Sequence, residues 1–291
     1  MAPPRAKGKG KEVEQPEEES EEEESETETE EDSEDEEDLD GSDDDEEEIM
    51  VDFEFQDPKE TDFHGLKALL KNYLDGAEFS SSELCDFIIK QNTVGTVIKA
   101  QGAGDENDPI AVMSVVNLTT NKDAPYVKEL AAWLKGKCPK DLRKKLDGAF
   151  GDEGVGLIIN ERIINVPPET APPMVNQLFD EIEWATQDEP TEELKNSFKF
   201  KKYLFVTRLF RDDEPEEEAG KKRKRGGEPV LMHIRPEDEF FQESGDWSFM
   251  WKSKDTEDKD DIQDLKPMRL CMLVDASAVP TVRDALKKVF G

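Results

Sequence analysis

Histidine and cysteine are scarce in this chain of 291 residues, which has two of the first and three of the second. Cys85, Cys138 and Cys271 stand far apart, and no Cys-x-x-Cys pair occurs. A zinc site needs four soft ligands brought together by close spacing, so this inventory argues against one. Each cysteine reads as a reduced, buried, small apolar residue. No run of about twenty apolar residues is present, which argues against a membrane-spanning helix. The N-terminus lacks an apolar signal-peptide core. The expectation is a protein of the nucleus and cytoplasm, with no membrane insertion. Positive charge is also in deficit: 38 Lys and Arg stand against 73 Asp and Glu, a net charge of -35.

The acid is unevenly placed. Residues 1–48 carry 26 carboxylates and 4 cations, a net of -22, which leaves -13 for residues 49–291. Between Glu12 and Glu48 almost nothing is apolar. Burial there cannot offset chain entropy, so a disordered acidic arm is expected over 1–48 and a globular domain over 49–291. Ser20, Ser25, Ser33 and Ser42 are each followed by acidic residues, which makes them candidate sites for an acid-directed kinase. A polyanionic arm can neutralise cationic clusters that would otherwise bind RNA, or it can simply solubilise the domain. Direct nucleic-acid binding is not expected, because the field repels it.

Order is expected from Ile49, at IMVDFEFQDP, where Val51, Phe53 and Phe55 alternate with Asp52 and Glu54 as in a half-buried strand. A helix is predicted over 61–75, with Asp62 as its cap and Leu66, Leu69, Leu70, Tyr73 and Leu74 on one face. The serines at 80–82 open a second. Strands at 94–99 and 110–118 make a hairpin around the polar turn Gly102–Pro109. Pro125 and Pro139 each open a helix, running to Leu134 and Leu146, with Gly136 as punctuation. A strand over 198–210 and another over 230–234 flank a solvent loop at 211–228. Pro236–Glu243 is a short helix, Trp247–Trp251 a strand, and 252–266 a charged excursion. A strand over 268–274 and a helix over 279–290 finish the chain. Helices mixed with hairpins indicate an α+β or mixed α/β fold on one twisted, largely antiparallel sheet.

The most distinctive stretch is GLIINERIINVPPETAPP, Gly156–Pro173. It reads as a strand interrupted by Asn160, Glu161 and Arg162, resumed by Ile163, Ile164 and Val166, and stopped by Pro167 and Pro168. Pro172 and Pro173 fall where the first turn of a helix over 174–184 tolerates them. Glu161 and Arg162 are either strand punctuation or a recognition surface, and they are the candidate partner contacts.

Catalytic text is thin. Gln101–Gly104 is glycine-rich, but its spacing and the following Asp105 and Glu106 suit a turn rather than a phosphate cradle. No Walker motif occurs. His64 and His233 have no nucleophile beside them in sequence. The leucines at 66, 69, 70 and 74 have tolerable spacing for an export signal, and the same spacing marks a core-facing helix. Phe240, Phe241, Trp247, Phe249 and Trp251 read as core, unless one is exposed as a partner site. Lys221, Lys222, Arg223, Lys224 and Arg225 form a run that suits the acidic groove of a nuclear import receptor. The same run could serve as counter-charge to Glu214, Glu216, Glu217 and Glu218.

With Gly156–Pro173, the upstream VDFEFQDP and DFHGLKALL, and the downstream FKFKKYLFVTRLF, the chain resembles the BCCIP family over roughly residues 49 to 291. Within it, the chain looks like the fungal nuclear-export and ribosomal-protein-chaperone branch. The resemblance implies a domain similar to the GCN5-related acetyltransferase fold, without its activity and without a cofactor. It implies a non-enzymatic chaperone that shields a large-subunit ribosomal protein and takes part in nuclear export. It also implies a link to a phosphatidylinositol-phosphate kinase, and so to actin organisation and vesicular transport. A histone-type acidic chaperone and an acetyltransferase-like enzyme are the alternatives.

Replacing Lys221–Arg225 by alanine is expected to leave the fold intact and move the protein from nucleus to cytoplasm. Imaging of a fluorescent fusion reads this, and unchanged nuclear localisation would sink the import role.

Overall fold

The computed structural model describes residues 52–91, 93–101, 108–212, 229–254 and 265–290, all within the unit Ile49–Gly291. Residues 1–48 with Ser20, Ser25, Ser33 and Ser42, the cations Lys221–Arg225, and most of the turn expected at Gly102–Pro109 lie outside the described residues.

The architecture is mixed α/β, a largely antiparallel open sheet of eight strands flanked by helices. Strands β1 (Phe53–Gln56), β2 (Thr96–Ala100), β3 (Ala111–Asn117) and β4 (Val155–Arg162) pair antiparallel in sequence order. Every residue of β3 is buried, as its unbroken apolar run requires of a strand covered on both faces. After β4 the chain crosses over through α5 (Ala171–Asp188) and α6 (Glu192–Ser197). It returns as β5 (Lys202–Asp212), parallel to β4. β8 (Leu265–Asp275) lies antiparallel along the whole of β5, and β7 (Gly245–Lys252) pairs outside β8. β6 (Val230–His233) pairs with the far end of β5, on the flank that β4 leaves.

Two cores sandwich the sheet. Leu157, Ile159, Leu204, Val206 and Cys271 meet α1 (Phe63–Leu69), α2 (Ser81–Lys90), α3 (Pro125–Lys137) and α4 (Arg143–Gly151). The alternate residues Ile158, Tyr203, Phe205 and Met272 meet α5, α7 (Glu237–Glu243) and α8 (Val279–Phe290). This is the period-two division of a strand buried on both faces. Gly156 fits the tight seam between β4 and its neighbours, because a Cβ there would lie 2.7 Å from Val115 Cγ2 and 3.0 Å from Phe200 Cδ1.

Two buried charged contacts fix the helices. Arg269, fully buried on β8, donates through Nε to Asp75 Oδ1 at 2.6 Å and through its other nitrogens to the carbonyls of Tyr73 and Asn72. Asp75 sits at φ 55° and also accepts from the Ser253 hydroxyl at 2.6 Å. Burial pulls the Arg269 pKa below its ordinary value, and Asp75 works against that. On α5, Glu181 accepts from the Gly95 N–H at 2.8 Å and from Gln177 at 2.9 Å, while burial pushes its carboxyl above the usual range.

Several expected boundaries shift. The helix predicted over 61–75 ends at Leu69, because Arg269 claims the Asn72 and Tyr73 carbonyls and Asp75 for a turn. Asp62 does not cap α1 through its side chain, which instead accepts from the Lys59 N–H at 2.9 Å in the turn before the helix. Asp62 also pairs with Lys99 at 2.5 Å. Gly136 lies inside α3, and α4 starts four residues after Pro139. The loop expected at 211–228 begins later, since Arg211 and Asp212 continue β5. The excursion expected at 252–266 is narrower, since Lys252 ends β7 and Leu265 and Lys266 open β8. The rest of both segments lies almost wholly outside the described residues. The break expected at Asn160–Arg162 is continuous strand, and Ile163 and Ile164, expected to resume it, are 48% and 89% exposed.

Candidate functional site: the split between the parallel strands

In α/β sheets, ligands bind where parallel strands part at their carboxyl ends. β4 and β5 pair only over Val155–Ile158 and Lys202–Phe205. Beyond that they separate, and β6 takes the flank of β5 from Leu209 to Asp212. The split between β4 and β6 is the natural crevice of this fold.

Side chains of the protein itself fill it. Glu161 accepts from Arg208 and lies 3.1 Å from Arg235 Nη1. Arg235 Nε donates to Asp238 Oδ2 at 3.0 Å, and Arg235 Nη2 donates to Thr207 Oγ1 at 2.8 Å. The Thr207 hydroxyl in turn donates to Asp238. Glu237 accepts from Asn160 Nδ2 at 2.9 Å and from Arg162 Nη2 at 2.8 Å. Strand alternation puts Glu161 and Arg208 on the α1–α4 side, and Asn160, Arg162 and Thr207 on the α5/α7/α8 side. Arg235 bonds to both sets, so its guanidinium passes through the split and ties the two faces of the sheet. Glu161 is fully buried and the Arg235 side chain is 3% exposed. Burial works to lower the Arg235 pKa, but Glu161, Asp238 and Glu237 outweigh it and hold it above its ordinary value.

Three guanidinium groups face three carboxylates, so the cluster is neutral as a whole and offers no net charge to an anion. The start of α5 offers few donors either, because Pro167 and Pro168 precede it and Pro172 and Pro173 lie in its first turn. Among the described residues no group of three His, Cys, Asp or Glu could hold a metal ion. Burial pushes the Cys85 thiol up to about 11 and raises Cys271 well above its ordinary value, the opposite of an activated nucleophile. His64 is exposed, with its ring edge-on to Phe63, and His233 is half-buried on β6. Two surface hollows, of about 720 Å³ beside His64, Lys67 and Lys71 and about 330 Å³ beside Asn117, Lys199 and Lys201, are open and lined largely by exposed side chains.

Glu161 and Arg162, the candidate partner contacts, therefore need correction: both side chains are buried and paired, and they serve architecture. Leu66, Leu70 and Leu74 are buried in the core, which removes them from use as an exposed export signal in this conformation. Phe241, Trp247, Phe249 and Trp251 are core as expected, and Phe240 packs half-buried against it. Arg208, Arg235, Glu237 and Asp238 escaped the sequence reading. The spacing of Arg235 and Asp238 is a legible i,i+3 pair. Their meeting with Glu161, more than seventy residues away, leaves no local trace.

Comparison with known proteins places these features in company. The model of the BCCIP family matches residues 48–241. The chain is 38% identical over 248 residues to "Protein BCCIP homolog" of Arabidopsis thaliana, covering 83% of this chain and 74% of that one. It is 38% identical over 212 residues to "Protein bcp1" of Schizosaccharomyces pombe, covering 67% and 72%. The fold is similar to the crystal structure of BCP1 from Saccharomyces cerevisiae, with a TM-score of 0.59 at 24% identity over 86% of this chain and 93% of that one. None of these names indicates catalysis. Identity to the plant protein equals identity to the fission-yeast one, so these two values do not by themselves separate a fungal branch.

Glu237→Ala strips Arg162 and Asn160 of their shared acceptor and is expected to cost about 3 kcal/mol of folding stability. Urea unfolding reads this as a lower midpoint at unchanged slope, and an unshifted midpoint would show that the cluster does not hold the split.

Proposed function

Because the chain belongs to the BCCIP family, we propose that it has a Bcp1-like role as a non-enzymatic carrier and chaperone for a basic client, a ribosomal protein of the large subunit, in nucleus and cytoplasm. The observation that carries this reading is the charge: a net of -22 over residues 1–48, joined to a domain that is itself acidic. A long polyanion competes with RNA for Lys and Arg clusters, and its contacts are fast, salt-sensitive and tolerant of geometry. Specificity then falls to the folded domain, which covers one face of the client until assembly. Release follows when rRNA offers a denser polyanion. The filled split supports a binding role over acyl transfer, since the crevice where a cofactor would lie is occupied by the protein's own ion pairs. Within this reading Lys221–Arg225 engages an import receptor, and a phosphatidylinositol-phosphate kinase is a second export cargo, with consequences for actin organisation and vesicular transport.

Affinity purification from nuclear extract at moderate salt, with and without residues 1–48, tests the proposal. A large-subunit ribosomal protein held by both forms, more weakly by the shorter one, is the expected result. Histones alone would favour a histone-type chaperone. Acetyl-coenzyme A binding by calorimetry would restore the enzyme.

A further inference from the structure

Nine large apolar side chains are exposed among the described residues, and five of them flank the β4/β6 split. Ile163 and Ile164 follow the last residue of β4. Val230 and Met232 on β6 and Ile234 just after it, 46%, 38% and 36% exposed, alternate along the chain. Apolar residues at every second position on an edge strand are a hazard unless something covers them.

One edge of the β6 backbone also lacks ladder partners among the described residues. The Ile234 N–H donates to the Arg208 carbonyl, which sets the phase of the β5/β6 ladder. Val230 and Met232 therefore turn their backbone groups toward β5, and Leu231 and His233 turn theirs away from it. On β4, the bonds from Ile163 N–H to the Ile110 carbonyl and from Leu118 N–H to the Val155 carbonyl set the phase against β3. They leave the groups of Asn160 and Arg162 facing the split. No backbone hydrogen bond from Asn160, Arg162, Leu231 or His233 into the split is found among the described residues. Arg235 fills the apex of this wedge, and beyond it the side chains of Ile163, Ile164, Val230, Met232 and Ile234 are exposed.

We propose that the outer edge of β6 is the client-binding site of the folded domain, and that it takes an extended segment of a basic protein as an added strand. This rests on the carrier reading and gives it a location. Free ladder groups call for an extended backbone rather than a helix. Val230, Met232 and Ile234 call for apolar residues at alternate positions of the incoming segment. The net charge of -13 on residues 49–291 selects a cationic segment and disfavours a second copy of this chain, which would bring the same charge.

Two variants of the full-length chain test this. Val230→Lys with Met232→Lys places charge on exposed positions without touching the β5 ladder. Leu231→Pro removes an N–H that points away from β5. The probe is the RNA-free protein extracted by salt from large ribosomal subunits, passed over the immobilised chain and identified by mass spectrometry. Wild type should retain a ribosomal protein, and each variant, with circular dichroism unchanged, should retain about tenfold less. In the complex the Leu231 and His233 amides should exchange with deuterium about tenfold more slowly. Equal retention by the variants with unchanged exchange overturns the edge site and leaves the carrier reading standing. Retention of nothing by wild type removes both. Wild-type dimers in sedimentation that the lysine variant dissolves would show that a second copy occupies the edge, and would overturn the proposal alone.

Discussion

The contact between Arg235 and Glu161 decides how this domain is put together. A parallel strand pair that separates after four residues leaves a hole in the middle of the sheet, bounded by backbone groups and two apolar cores. Arg235 closes it from the chain following β6, with Glu161 on one side and Thr207 and Asp238 on the other. The position of α7, the lodging of β6 against β5, and the burial of Asn160 and Arg162 through Glu237 follow from that closure. Buried ion pairs add little net stability compared with well-packed apolar groups. Breaking one is costly, so the cluster specifies this arrangement more than it strengthens it.

That closure also divides labour within the chain. In the sheet's natural crevice, the charged side chains pair with one another instead of with a ligand, although Arg162 Nη1 and Arg208 Nε have no hydrogen-bond partner among the described residues. Further out, along the edge of β6, the backbone groups of Leu231 and His233 have no ladder partner among the described residues. The fixed part of recognition is thereby moved from a pocket to an edge, where an extended partner fits and a small molecule has little to hold it. The acidic excess acts at longer range and without fixed geometry. A carrier of basic protein needs both: attraction that is fast and easily screened, and a site that recognises one backbone.

Fold class and most element positions were legible in the sequence because they depend on local periodicity. β3 and α8 announce themselves by apolar pattern, and α5 by its prolines. The reading failed where a distant partner changes what a polar residue does. Asn160, Glu161 and Arg162 look like punctuation because a lone polar triplet in a strand normally faces water. Here Glu237, Arg208 and Arg235 receive them, and the triplet is the buried part. The apolar Ile163 and Ile164 beyond it are the exposed part. The helix expected to run to residue 75 stops early for the same kind of reason, an arginine nearly two hundred residues away.

The coupling between Glu161 and Arg235, measured by a double-mutant cycle with Glu161→Gln and Arg235→Met in chemical unfolding, tests this arrangement most directly. A coupling of about 2 kcal/mol is expected for a buried pair that holds the split closed. A value below about 0.5 kcal/mol would contradict it, because the two side chains would then be neighbours in the split without being what closes it.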